Sequence, residues 1–169
     1  MTAELLAFRK RPPAEDANAL LEAAVELHAL MSIDPVMGAS PARAYFVFNP
    51  EARRRITTAI EGGVAHQPTA YAVVTYDFPF ALHLVEIAGR PARSERGKAI
   101  ATLSAALQGE ALPAAAAALG IEALAVPAFD PEALKTAFFP HTQETVTHLF
   151  RLELQPQASR NQTPGIAQS

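Results

Sequence analysis

The chain has 169 residues, with 14 basic and 17 acidic side chains, a net charge of −3, and neither cysteine nor tryptophan. That length suits one domain with a real core, and the charge balance excludes a polybasic nucleic-acid binder or a membrane-surface footprint. Without cysteine there is no disulfide framework, thiolate metal site or cysteine nucleophile.

No stretch reaches the roughly 18 consecutive apolar residues of a membrane span. The N-terminus, MTAELLAFRKRPPAED, places its charges after a short apolar patch, the reverse of a signal peptide. The expectation is a cytoplasmic chain with no membrane or nucleic-acid partner.

The first element is a helix over 15–31, where Leu20, Leu21, Ala24, Leu27 and Met31 recur at helical spacing behind Glu15 and Asp16. A loop rich in Pro, Gly and Ser follows, then AYFVF (44–48) as a short buried strand. Asn49 and Pro50 open a helix over 51–61, ended by Gly62 and Gly63. AYAVVTYD (70–77) is a central strand, and a short helix over 79–88 closes at Gly89.

After the polar segment 89–97, an alanine-rich helix runs from Lys98 to Leu119, with Ser94 as its cap. Pro113 is expected to kink it or split it near Leu112. IEALAV (121–126) is a third strand, and Asp130, Pro131 and Glu132 start another helix. In TVTHLFRLEL (145–154), Val146, His148, Phe150, Leu152 and Leu154 alternate with Thr147, Leu149, Arg151 and Glu153. Residues 1–154 read as a single α+β domain, and 155–169 as a polar tail.

Chemistry-bearing motifs are scarce. The five histidines, at 28, 66, 83, 141 and 148, show no HExxH spacing. His83 and Glu86 share a helix face without a ligand set, and His148 reads as a core histidine. No serine stands in a G-x-S-x-G elbow, and no GxGxxG or GxxxxGK[ST] loop exists. The basic residues say more: Arg9, Lys10 and Arg11 cluster ahead of the first helix, and Arg160 stands in the tail. Such residues are either solvated surface charge or a phosphate clamp, since the guanidinium fork matches phosphate oxygens.

The order of segments resembles the nitroreductase family of flavoproteins. The matching pieces are FRKR (8–11), LLEAAVELHALM (20–31), DPVMGASPAR (34–43) and AYFVF (44–48). AYAVVTYDFPF (70–80), ALGIEALAVPAFDPEALKTAFF (118–139) and HLFRLELQPQASR (148–160) look nearest the malonic-semialdehyde (3-hydroxypropionate) reductase branch.

The resemblance implies a nitroreductase-like α+β fold, with a central, mainly antiparallel sheet flanked by helices. It further implies a homodimer with FMN at the subunit interface and NAD(P)H as co-substrate, reducing a small carbonyl, nitro or quinone substrate. Flavin chemistry of this kind needs no side-chain nucleophile. By the same resemblance Arg9, Lys10, Arg11 and Arg160 meet the phosphate, and Ser40 and Arg43 sit in the flavin-lining loop. Ala125 and Val126 stand where a turn presents backbone N–H to flavin N5. The chain departs from the family at Val36 and Gly38, where polar residues face the flavin, and at Pro127, which lacks an N–H. Those departures define an alternative, a non-catalytic relative with a degenerate flavin pocket.

Overall fold

The structure, a computed structural model, describes residues 13–32, 34 and 37–155. Its element order is α1 (Pro13–Leu30), β1 (Ala42–Val47), α2 (Pro50–Thr58), β2 (Ala70–Tyr76), α3 (Phe78–Ile87), α4 (Glu95–Ala118), β3 (Ile121–Ala125), α5 (Pro131–Phe138) and β4 (Thr145–Leu154). The four strands form one sheet in the order β1-β2-β4-β3, and every pairing is antiparallel.

Local chemistry starts most of the helices where the sequence predicts. The Asn49 side chain accepts from the N–H groups of Glu51 and Ala52. Asp77, Ser94 and Asp130 likewise cap α3, α4 and α5 through Phe80, Gly97 and Ala133. Each cap satisfies backbone donors that a helix N-terminus would otherwise leave open. The second helix is shorter than expected, ending at Thr58 rather than 61. Ile60 beyond it forms an isolated bridge with Phe129, and Gly62 and Gly63 turn the chain at φ 77 and 68.

Both faces of the sheet are covered, which is why all seven residues of β2 are buried. On one face Leu20 and Leu27 of α1 and Leu112 and Ala116 of α4 pack against Ala44, Ala72, Val74, Phe150 and Leu152. On the other, Ile56 of α2 and Leu134 of α5 pack against Tyr71, Val73 and Leu149.

Two expectations are corrected here. Pro113 does not split its helix: α4 runs through it for 24 residues. An interior proline costs about 3 kcal/mol, because its ring crowds the carbonyl four residues back. That carbonyl belongs to Gly109, and full burial of Leu112 and Ala116 on either side holds the segment helical. Burying a leucine alone stabilises by about 1.5–3 kcal/mol.

The alternation in β4 also breaks. The β2–β4 register shifts between Val74, opposite His148, and Thr75, opposite Val146, leaving Thr147 as the extra residue of a bulge. Val146 therefore joins Leu149 in the core below α2 and α5, while Phe150 and Leu152 face α1 and α4. His148 packs onto Gly109 of α4, where any Cβ would overlap its ring. Burial lowers its pKa against the opposing pull of Glu110. His148 is half-buried rather than in the core, with Nδ1 3.0 Å from Thr147 Oγ1.

Candidate functional site

One end of the sheet is closed by two buried carboxylates. Glu144, 3% exposed, accepts from Arg43 Nη1 at 2.6 Å, Tyr45 Oη at 3.0 Å and Thr75 Oγ1 at 2.8 Å. Burial also raises the Tyr45 phenol above its usual range.

Asp34, 1% exposed, anchors the connection between α1 and β1. Its Oδ1 accepts from Met37 N–H at 2.7 Å and its carbonyl from Gly38 N–H at 2.9 Å. Its Oδ2 accepts from Ser104 Oγ on α4, which in turn accepts from Tyr76 Oη at 2.7 Å. Burial pushes the Tyr76 phenol up to about 12, with Asp34 acting in the same direction and the Ser104 hydrogen bond against it. Together these contacts tie the loop to both a strand and the long helix.

Toward β3, whose burial falls off from Ile121 to Ala125, the covering is thinner. Between the chain after α2 and the chain after β3 lies a cleft of about 160 Å³. Ile60, Glu61, Gly63 and Val64 form one wall, Ala125 to Ala128 the other, and Arg151 of β4 lines it as well. The walls are stapled by Glu61 N–H donating to Ala128 O at 3.1 Å and Asp130 N–H to Ala59 O at 2.7 Å. Arg151 is half-buried, flanked across the sheet by Tyr71 and Leu124. Among the described residues it has no hydrogen-bond or ion-pair partner; the three ion pairs are Arg43–Glu144, Arg55–Glu51 and Lys98–Glu95.

The residues singled out from sequence fall in three places. Ala125 and Val126 line the cleft. Ser40 and Arg43 lie at the other edge of the sheet, and Arg43 stands inside β1, opposite Thr75, rather than in a loop. Ser40 Oγ is engaged locally, donating to Ala42 O at 3.1 Å. The register runs Ala125–Phe150–Ala72–Phe46, so three interstrand steps, roughly 14 Å, separate the cleft strand from β1. A single chain does not bring the two groups together. Arg9, Lys10, Arg11, Val36 and Arg160 lie outside the described residues.

Sequence reasoning missed Asp34, Glu144, Glu61 and Arg151. A signal for Arg151 exists: Leu149 shares its phase in β4, and an apolar residue there means that this face of the strand is covered too. No metal-ligating cluster of His, Asp or Glu occurs among the described residues, and no helix there is long and apolar enough to cross a membrane.

No sequence-family model matches the chain, and no curated protein does. Solved structures do match. A Bacillus subtilis protein described as a nitroreductase superposes with a TM-score of 0.65 at 18% identity, over 88% of this chain and 84% of its own. A Staphylococcus epidermidis protein described as an NAD(P)H:FMN oxidoreductase gives 0.60 at 15% identity, over 81% and 78%. An Exiguobacterium sibiricum protein described as a nitroreductase in complex with FMN gives 0.62 at 13% identity, over 88% and 82%. The chain therefore has a nitroreductase-like fold.

Proposed function

We propose that this chain is an FMN-dependent NAD(P)H oxidoreductase acting on a small carbonyl, nitro or quinone compound, as a cytoplasmic homodimer. The observation that carries the reading is the shared fold, which spans most of this chain and of an FMN-holding structure. When bound, FMN supplies hydride transfer between NAD(P)H and the acceptor. The absence of a nucleophile motif in the sequence agrees with chemistry of that kind.

The described residues of one chain do not make a complete flavin cradle. The cleft, at about 160 Å³, is below the roughly 300–1,000 Å³ of typical ligand pockets. Val126 N–H already donates to Leu149 O at 2.8 Å, Pro127 has none to offer, and Arg43 is held by Glu144. On this reading the phosphate rests on Arg9, Lys10, Arg11 and Arg160, and a second copy completes the site.

A second copy also fits the outer face of α4, where Ala99, Leu103, Ala106, Leu107 and Ala114 are exposed in one apolar stripe. Leu103 alone is 54% exposed. Contiguous apolar surface of this sort marks an interface more often than open solvent.

The same committed donors favour a second reading, a nitroreductase-like protein whose flavin pocket has closed. Visible absorption of the purified protein, before and after incubation with FMN and desalting, separates the two. Retained flavin with NAD(P)H oxidation supports the enzyme, and its loss in an Arg9→Ala, Arg160→Ala double variant supports the clamp. A protein colourless in both states selects the closed pocket.

A further inference from the structure

The outer face of α4 carries charge as well as apolar side chains, and both are placed about one centre. At about 100° per residue, the buried residues Ala101, Ser104, Gln108 and Leu112 point to one side of the helix. The opposite side carries Arg96, Ala99, Leu103, Ala106, Leu107 and Glu110, every one of them exposed. Arg96 lies seven residues before Leu103 and Glu110 seven after it, while Ala99 and Leu107 stand four before and four after. Seven residues make about two turns, so the charges stay on the face of the leucine between them. Neither Arg96 nor Glu110 is in an ion pair among the described residues, where Lys98 takes Glu95 instead.

Such a face matches itself in one direction only. A parallel copy would set Arg96 against Arg96 and Glu110 against Glu110. Turned antiparallel about Leu103, the same face sets Arg96 beside the partner's Glu110 twice, and Ala99 against the partner's Leu107, small against large.

From this spacing we infer that a second copy docks antiparallel on α4, with Leu103 on the twofold axis and an Arg96–Glu110 ion pair at each end. The pairs sit about 10.5 Å to either side of the axis at 1.5 Å per residue. Ala99 and Ala106 let the helices approach to the roughly 8–10 Å of ordinary packing. Burial of Leu103 and Leu107 supplies attraction, and the charges select direction and register. The contact is isologous and closes at the dimer. The inference rests on the homodimer reading above and goes beyond it in naming the axis and the residues that select the partner.

The test is sedimentation velocity of the full chain and of Arg96→Glu and Glu110→Arg, alone and mixed. Wild type is expected to be a dimer. Each variant alone brings like charges together at both ends and should raise the dimer dissociation constant at least about tenfold. Mixed in equal amounts, the two should re-form a dimer about as tight as wild type, because each copy then meets opposite charge at both ends. Misfolded variants could not rescue each other in this way.

Register is read independently by cross-linking, since the chain has no cysteine. A disulfide needs Cα atoms within about 7 Å. Under oxidised glutathione, Leu103→Cys should link to its own copy. Ala99→Cys, about 12 Å along the axis from its counterpart, should link to Leu107→Cys and not to itself. A wild-type monomer overturns the homodimer reading and the register together. A wild-type dimer that persists unchanged in both charge variants, is not re-formed on mixing, or fails to link through Leu103→Cys overturns the register alone.

Discussion

Arg43 and Arg151 occupy the same face of one sheet and meet opposite fates. Arg43, on the edge strand, has a side chain 62% exposed, yet it is bound to a carboxylate that is 3% exposed. Arg151, on a central strand, is more enclosed and has no partner among the described residues. Around Arg43 the sheet ends in satisfied buried polar groups, with Glu144 on one side and Asp34, Ser104 and Tyr76 joined to α4. Around Arg151 it ends in a cavity. At the closed end the charge is neutralised inside the fold, whereas the half-buried Arg151 at the other end is neutralised by no described side chain.

The largest effect should come from opening the closed end. Glu144→Ala strands three donors at once and should cost about 3 kcal/mol in urea unfolding. Ser104→Ala removes the hydroxyl between Asp34 and Tyr76 and should cost about 1–2 kcal/mol, read as a lower unfolding midpoint at unchanged slope. Arg151→Met should move stability by no more than about 0.5 kcal/mol. If it proves as damaging as Glu144→Ala, the two ends are not different in kind.

Cofactor binding sharpens the same contrast. Arg43→Ala should leave FMN retention on a desalting column unchanged, because its guanidinium is committed to Glu144. Loss of flavin in that variant would place Arg43 in the clamp after all.

The smallest effect is one of pH. Burial lowers the His148 pKa, so the folded state prefers the neutral ring. The unfolded chain takes up its proton near the ordinary value of about 6.5. The contribution of His148 is therefore complete above that pH and is lost as pH falls through it towards the lowered folded value. Melting temperature should drop between neutral and mildly acidic buffer, and His148→Phe should flatten part of that drop.

Much of the fold was legible because its signals are local. Asn49, Ser94 and Asp130 cap the helices they precede in sequence, and β4 spans the predicted 145–154. The site was legible only in part. Ala125 and Val126 do line the cleft, but Arg43 was misplaced in a loop, and Arg151 was missed because the alternation in 145–154 grouped it with Thr147, Leu149 and Glu153, opposite the apolar set.

By itself, then, the amino-acid sequence determined element order, caps, strand periodicity and the absence of a nucleophile motif, all properties of residues a few positions apart. Tertiary structure alone decided that Pro113 stays inside a helix, that a bulge at Thr147 changes the phase of β4, and that Arg43 is paired while Arg151 has no partner among the described residues. Arg43 and its carboxylate are 101 residues apart in the chain. Spacing along the chain carries no record of such a contact, because only β2, pairing with β1 on one side and β4 on the other, brings the two charges within reach.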